Sequence, residues 1–134
     1  MQDKDLTVTL RMRIGAGDAH YGGSLVDGAR MLRLFGDVLT EITIRTDGDE
    51  GLLSGYSDVE FKAPVYAGDF VEVTGRLVKA GRLRRVVELE ARKVIEARYE
   101  QGHSTARALD EPVVVCRAVG TTVVPVGKVR SRAS

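Results

Sequence analysis

Apolar and polar residues alternate strictly from Leu6 to Ile14. Leu6, Val8, Leu10, Met12 and Ile14 share one face; Thr7, Thr9, Arg11 and Arg13 share the other. A period of two predicts a half-buried strand. The glycine-rich stretch 15–23 then interrupts regular structure. From Val26 to about Arg45 the period becomes that of a helix: Gly28, Leu32, Phe35, Leu39 and Ile42 fall on one stripe. Arg30, Arg33, Asp37 and Glu41 fall roughly opposite, and Arg33 and Asp37 have the i, i+4 spacing of an exposed ion pair worth about 0.3–0.5 kcal/mol. Gly36 inside this helix costs about 1 kcal/mol relative to alanine, which predicts close approach of a neighbouring backbone.

The remainder reads as strands. Residues 47–51 form a turn, and 52–61 a second strand with Val59 and Phe61 on one face and Tyr56, Asp58 and Glu60 on the other. Pro64 ends it. After a turn at 67–69, residues 70–78 and 83–97 alternate as a long antiparallel hairpin joined at 79–82. Residues 98–111 are polar and without period, predicting a long loop, and Pro112 opens a last strand over 113–124. One helix cannot cover both faces of such a sheet. The pattern therefore predicts an α+β domain in which an antiparallel sheet of about five strands curls around one long helix, with its edges paired in a dimer.

Composition narrows the class of protein. With 134 residues, 43% hydrophobic and 29% charged, the chain has the makeup of a globular domain. The expected division is one domain over 1–127 and a basic disordered tail over 128–134. The net charge of +1 argues against a nucleic-acid partner. No apolar run approaches the roughly 18 residues of a membrane span, and the first residues lack the apolar core of a signal peptide. A single cysteine, Cys116, excludes an intrachain disulfide and fits a reducing cytoplasm; its apolar surroundings mark a buried strand residue rather than a nucleophile. His20 and His103 are too far apart in sequence for metal-ligand spacing, and no Walker or Rossmann motif is present.

Candidate chemistry concentrates in Asp18 to Arg30, where polar, proton-handling side chains and glycines precede the helix. A helix N-terminus offers unpaired N–H groups and partial positive charge. Such an end can hold a carbonyl oxygen that becomes negative during reaction, as in an activated thioester. Gly28, in the first turn, either aims a backbone N–H at that oxygen or permits close packing. His20, with an ordinary pKa near 6.5, suits proton transfer, or bonds to its own loop. Asp18 either orients His20, acts as base, binds an ammonium group, or makes a turn bond. Asp27 reads as a helix-start carboxylate.

The segment Val59 to Phe70, with Phe61, Pro64, Gly68 and Asp69, resembles the connection between the second and third strands of acyl-CoA hotdog enzymes. More narrowly, the chain resembles the aminoacyl-CoA ammonia-lyases. The matching segments are Asp18–Tyr21, Leu25–Val26, Gly28–Arg30, Gly36–Val38, Thr40–Glu41, Asp47–Asp49, Glu60–Phe61, Ala63–Tyr66 and Gly68–Phe70. They span about residues 18–72. Gly22, Gly23 and Val26–Gly28 are similar to the branch acting on 3-aminobutyryl-CoA, as in lysine fermentation, rather than on β-alanyl-CoA.

The resemblance implies a hotdog fold and homo-oligomers of dimers or larger. It also implies elimination of ammonia from a CoA thioester with neither metal nor other cofactor. It assigns catalysis to Asp18, His20 and Glu60, the choice of base among them open, with Glu60 supplied across a subunit boundary. Substrate binding falls to Tyr21, Gly28 and Tyr66. Arg82, Arg84 and Arg85 of the hairpin turn, or Arg107, stand as partners for CoA phosphates. The competing expectations are a thioesterase of the same fold, which Ser24 disfavours by standing where many such enzymes carry an aspartate, an enoyl-CoA hydratase, and a non-catalytic acyl-CoA-binding domain.

Overall fold

The computed structural model describes residues 6–19 and 21–125. His20 and the tail expected over 128–134 lie outside the described residues. Among the described residues, seven strands and one α-helix follow in order: β1 (Thr7–Arg13), β2 (Leu25–Val26), α1 (Gly28–Asp47), β3 (Leu52–Phe61), β4 (Val65–Tyr66), β5 (Phe70–Ala80), β6 (Arg84–Ala97) and β7 (Ala106–Val123). The main sheet is antiparallel with order β1-β5-β6-β7-β3, and β2 and β4 form a small separate ladder. This is the hotdog architecture, a five-stranded antiparallel sheet around one long helix.

The apolar face of every central strand turns toward α1. Val71, Val73, Leu77, Val87, Leu89, Ala91 and Cys116 are buried against Met31, Leu34, Phe35, Val38, Leu39 and Ile42. The helix sinks deep into the sheet because two strand residues have no side chain. A Cβ on Gly75 would stand 2.4 Å from Val38 Cγ1, and one on Gly120 would stand 2.7 Å from Leu39 Cδ1. Any larger residue at either position would push the helix outward.

Two buried ion pairs fix the ends of the elements. Asp47, the last helical residue, meets Arg85 in a bidentate pair, with Nε–Oδ2 and Nη2–Oδ1 both 2.9 Å, and their side chains are 0% and 2% exposed. Arg85 also donates to the carbonyls of Gly81 (2.7 Å) and Arg84 (3.0 Å). Lys93 Nζ lies 3.2 Å from Asp69 Oδ2, and Asp69 accepts the backbone N–H groups of Tyr66 and Ala97, both at 2.8 Å. Arg85 is therefore withdrawn from the phosphate-binding role expected of it, and Asp47 belongs to the helix, not to the turn.

Four further expectations are corrected. Arg33 pairs with Asp18 rather than Asp37, and the exposed i, i+4 pair on α1 is Glu41–Arg45 at 2.8 Å. Gly36 meets no backbone; a Cβ there would touch Tyr56 Oη at 3.6 Å, an ordinary contact. The loop expected over 98–111 ends at Thr105, because Ala106, Arg107 and Ala108 pair with Ala97, Glu96 and Ile95. A bulge holding 109–112 hides this pairing, and Pro112 sits in it, where no ladder donor is required.

The last correction concerns β3. Between Ser57 and Glu60 the chain advances three residues on β3 against two on β7, and Asp58 takes a left-handed φ of 53°. This bulge changes the phase of the strand. Tyr56, opposite Gly120, and Phe61, opposite Cys116, both face α1, and Glu60, opposite Arg117, faces away. Tyr56 packs edge-on to Phe35 and donates to the carbonyl of Leu32 at 2.7 Å. Burial, then the charges of Asp37 and Cys116, raise the Tyr56 pKa, so its phenol stays a donor.

Candidate active site

The start of α1 is built by three short pieces. A 3-10 turn over Ala16–Asp18 and another over Gly22–Ser24 carry the loop past the helix end, and the β2–β4 ladder holds its exit. Asp27 caps the helix, its Oδ1 accepting from the N–H of Arg30 at 3.2 Å. The helix geometry leaves the N–H groups of Gly28 and Ala29 without intrahelical acceptors. They open on a cleft of roughly 640 Å³, lined among others by Tyr21, Asp27, Gly28, Phe61, Lys62 and Val115. That volume lies within the range of small-molecule sites.

The Phe61 ring forms one wall. A Cβ on Gly28 would stand 2.3 Å from Phe61 Cε1, inside van der Waals contact, so only glycine admits the ring there. Gly28 thus packs closely and also sits at the mouth of the helix end; the two readings of this glycine are compatible. Tyr21 is 57% exposed and stands over the cleft without a hydrogen bond to its hydroxyl among the described residues.

Asp18, Glu60 and Tyr66 do not line this cleft. Asp18 faces α1: its Oδ1 is 3.0 Å from Arg30 Nε, short of hydrogen-bond alignment, and 3.5 Å from Arg33 Nη2. It ties the loop to the helix. Glu60 lies on the outer face of the sheet, 3.5 Å from Lys62 Nζ. It borders a different, charged cleft of roughly 580 Å³ with Asp58, Glu88, Glu90, Arg92 and Arg117. Those charges largely satisfy one another: Arg117 and Arg92 both donate to Glu90, and Arg76 donates to Glu88. That pairing is the mark of a solvated sheet face rather than an acyl site. Tyr66, in β4, borders another recess with Ser24 and Tyr99, its ring 5.6 Å from Lys93 Nζ.

Asp27, Phe61 and Lys62 also line the cleft, and the sequence pattern alone does not mark them for it. The capping signal of Asp27 was readable, but not its exposure to a cleft. Strict alternation puts Phe61 on the side of β3 opposite Tyr56; the bulge, which nothing in the sequence announces, brings both onto one face. Cys116 is an inert core residue, its thiol pushed up to about 11 by burial. No group of three or more metal-ligating side chains occurs among the described residues, and no helix among them is long and apolar enough to cross a membrane.

A five-stranded sheet around one long helix, with a cleft at the helix start, defines the hotdog proteins as the class. Within it, the chain belongs to the 3-aminobutyryl-CoA ammonia lyase family. It is 56% identical over 121 residues, covering 90% of this chain and 96% of the relative, to the 3-aminobutyryl-CoA ammonia lyase of Acetoanaerobium sticklandii. Its structure matches the β-alanyl-CoA:ammonia lyase of Clostridium propionicum with a TM-score of 0.88 and 38% identity, over 93% of this chain and 89% of that one. A hexameric broad-specificity acyl-coenzyme A thioesterase, an Asp44Ala mutant, matches with a TM-score of 0.70 and 17% identity over 91% and 81% of the two chains, a likeness of fold alone. No family model matches the chain.

Proposed function

We propose that this protein eliminates ammonia reversibly from 3-aminobutyryl-CoA to give crotonyl-CoA, in the cytoplasm and in the service of lysine fermentation. The observation that carries the reading is the cleft at the α1 N-terminus, in a chain 56% identical to a lyase named for that substrate. The thioester oxygen lies against the N–H groups of Gly28 and Ala29, where the helix end stabilises the negative charge of the enolate. A base removes the α-proton, and the C–N bond breaks with its electron pair leaving on nitrogen. Because the substrate nitrogen is already protonated, neutral ammonia departs. The reaction needs neither metal nor redox cofactor.

Tyr21 lines the acyl cleft, and Tyr66 borders a separate recess. The base is His20 or Glu60, and Asp18 positions the loop through its ion pair with Arg30. Within one protomer Glu60 faces the outer side of the sheet, so a role as base requires a second copy of the chain to bring its helix-start cleft to that carboxylate. The support for that copy is β3, an edge strand with Leu52 67%, Leu53 53% and Phe61 59% exposed. A long apolar edge of this kind seeks a partner strand.

The test is direct. Purified protein incubated with crotonyl-CoA and ammonium at pH 7–9 should yield the 3-aminobutyryl-CoA adduct by mass spectrometry. Folded protein that forms no adduct, and instead releases free CoA thiol, would replace this reading with a thioesterase.

A further inference from the structure

The bulge in β3 decides what faces the helix start. Under strict alternation, Phe61 would fall on the side opposite Tyr56, and Glu60 would take the helix side. The extra residue reverses this: Phe61 lies on Gly28, and Glu60 points to the outer face. The turn in phase rests on one backbone conformation. Asp58 holds a φ of 53°, in a region that non-glycine residues rarely occupy and that aspartate and asparagine tolerate best. Its carboxylate is exposed and accepts only a long 3.4 Å contact from Ser57 Oγ among the described residues, so no strong side-chain bond dictates the conformation. Bulges next to active sites commonly re-aim a side chain, and strained residues persist where the surroundings demand them.

We propose that Asp58 is a positioning residue of the active site: its left-handed backbone sets the phase of β3 that delivers Phe61 to the wall of the acyl cleft and keeps Glu60 on the outer face. This rests on the helix-start cleft being the acyl site, as argued above. Asp58 acts through Phe61 and not through its own charge.

The experiment measures two quantities on the full chain: lyase turnover, and affinity for butyryl-CoA, a saturated thioester that cannot react, by calorimetry. Asp58→Asn and Asp58→Gly both allow the left-handed backbone and should leave turnover and affinity within about threefold of wild type. Asp58→Val and the milder Asp58→Ala disfavour it and should weaken butyryl-CoA binding, by about tenfold for valine. In a Phe61→Ala background the same substitutions should change affinity by less than about twofold, since effects acting through one group do not add.

Loss of turnover in Asp58→Asn would overturn the proposal by making the carboxylate itself the active group. So would unchanged affinity in both Asp58→Val and Asp58→Ala, or effects that simply add to Phe61→Ala. If valine prevents folding, the alanine, asparagine and glycine variants still decide. Wild type that binds butyryl-CoA without lyase turnover would refute the proposed reaction while leaving the binding comparison intact.

Discussion

Replacing Asp47 by asparagine tests how the helix is anchored. The substitution keeps the shape at the end of α1 and removes the charge facing Arg85. That guanidinium is 2% exposed and bonded to Asp47 by two contacts of 2.9 Å. Breaking a buried pair by neutralising one partner costs about 3–5 kcal/mol, because the surviving charge stays buried. Arg85 keeps the carbonyls of Gly81 and Arg84 as acceptors, which places the expected loss near the lower end, about 3 kcal/mol. For a chain of this size that lowers Tm by roughly 10–15 °C.

The assay is thermal and urea unfolding followed by far-UV circular dichroism, at one protein concentration so that any assembly contributes equally. The paired replacement Asp47→Leu with Arg85→Met should recover most of the loss, since an apolar pair of similar volume needs no desolvation of charge. A cost below about 1 kcal/mol for Asp47→Asn, the value of an exposed pair, would refute the reasoning. So would a double variant that loses the sum of the two singles.

Further outcomes follow from the same geometry. Gly36→Ala should stabilise the protein by up to about 1 kcal/mol in urea unfolding, because the added methyl meets only the Tyr56 hydroxyl at an ordinary distance. Native Cys116 should resist a thiol-specific disulfide reagent at pH 8 and react at once in denaturant, its thiol being buried with a pKa raised to about 11. Partial burial alone would raise the Glu90 pKa, but the hydrogen bonds and charges of Arg92 and Arg117 outweigh it and hold the carboxyl below its ordinary 4.5. A lowered carboxyl pKa contributes stability above the unfolded value and loses it as pH falls through the folded one. Unfolding midpoints of wild type and Glu90→Gln should therefore converge below pH 4.5, and a constant gap down to pH 2 would contradict the assignment.

Where one face of an element is buried and the other wet, the sequence was legible. β1 and the β5–β6 hairpin follow alternation because a slip of one residue would expose their whole apolar set. β3 was legible as a segment but not in its facing, since bulges at 53–55 and 57–60 change its phase twice. The two-residue strands β2 and β4 are too short to carry a period. The buried face of α1 is wider than the single stripe its periodicity marks, because the curled sheet also buries Met31, Leu34 and Val38. The sequence of β6 carries a further signal. Arg85 and Lys93 share the parity of Val87, Leu89 and Ala91, so two cations on the apolar face already implied buried acids to match. Asp47 and Asp69 are those acids.

The Gly68-Asp69 turn separates scaffold from chemistry. Asp69 is fully buried and both its oxygens are engaged, by two backbone amides and a lysine, which keeps it out of a substrate's reach. The motif can therefore be shared by enzymes of unrelated reactivity, as a hinge pin is shared by different doors. An engineer seeking a new reaction on this frame should leave residues 64–70 and Lys93 untouched. The stretch from Asp18 to Arg30 and the β3 bulge are the parts to vary.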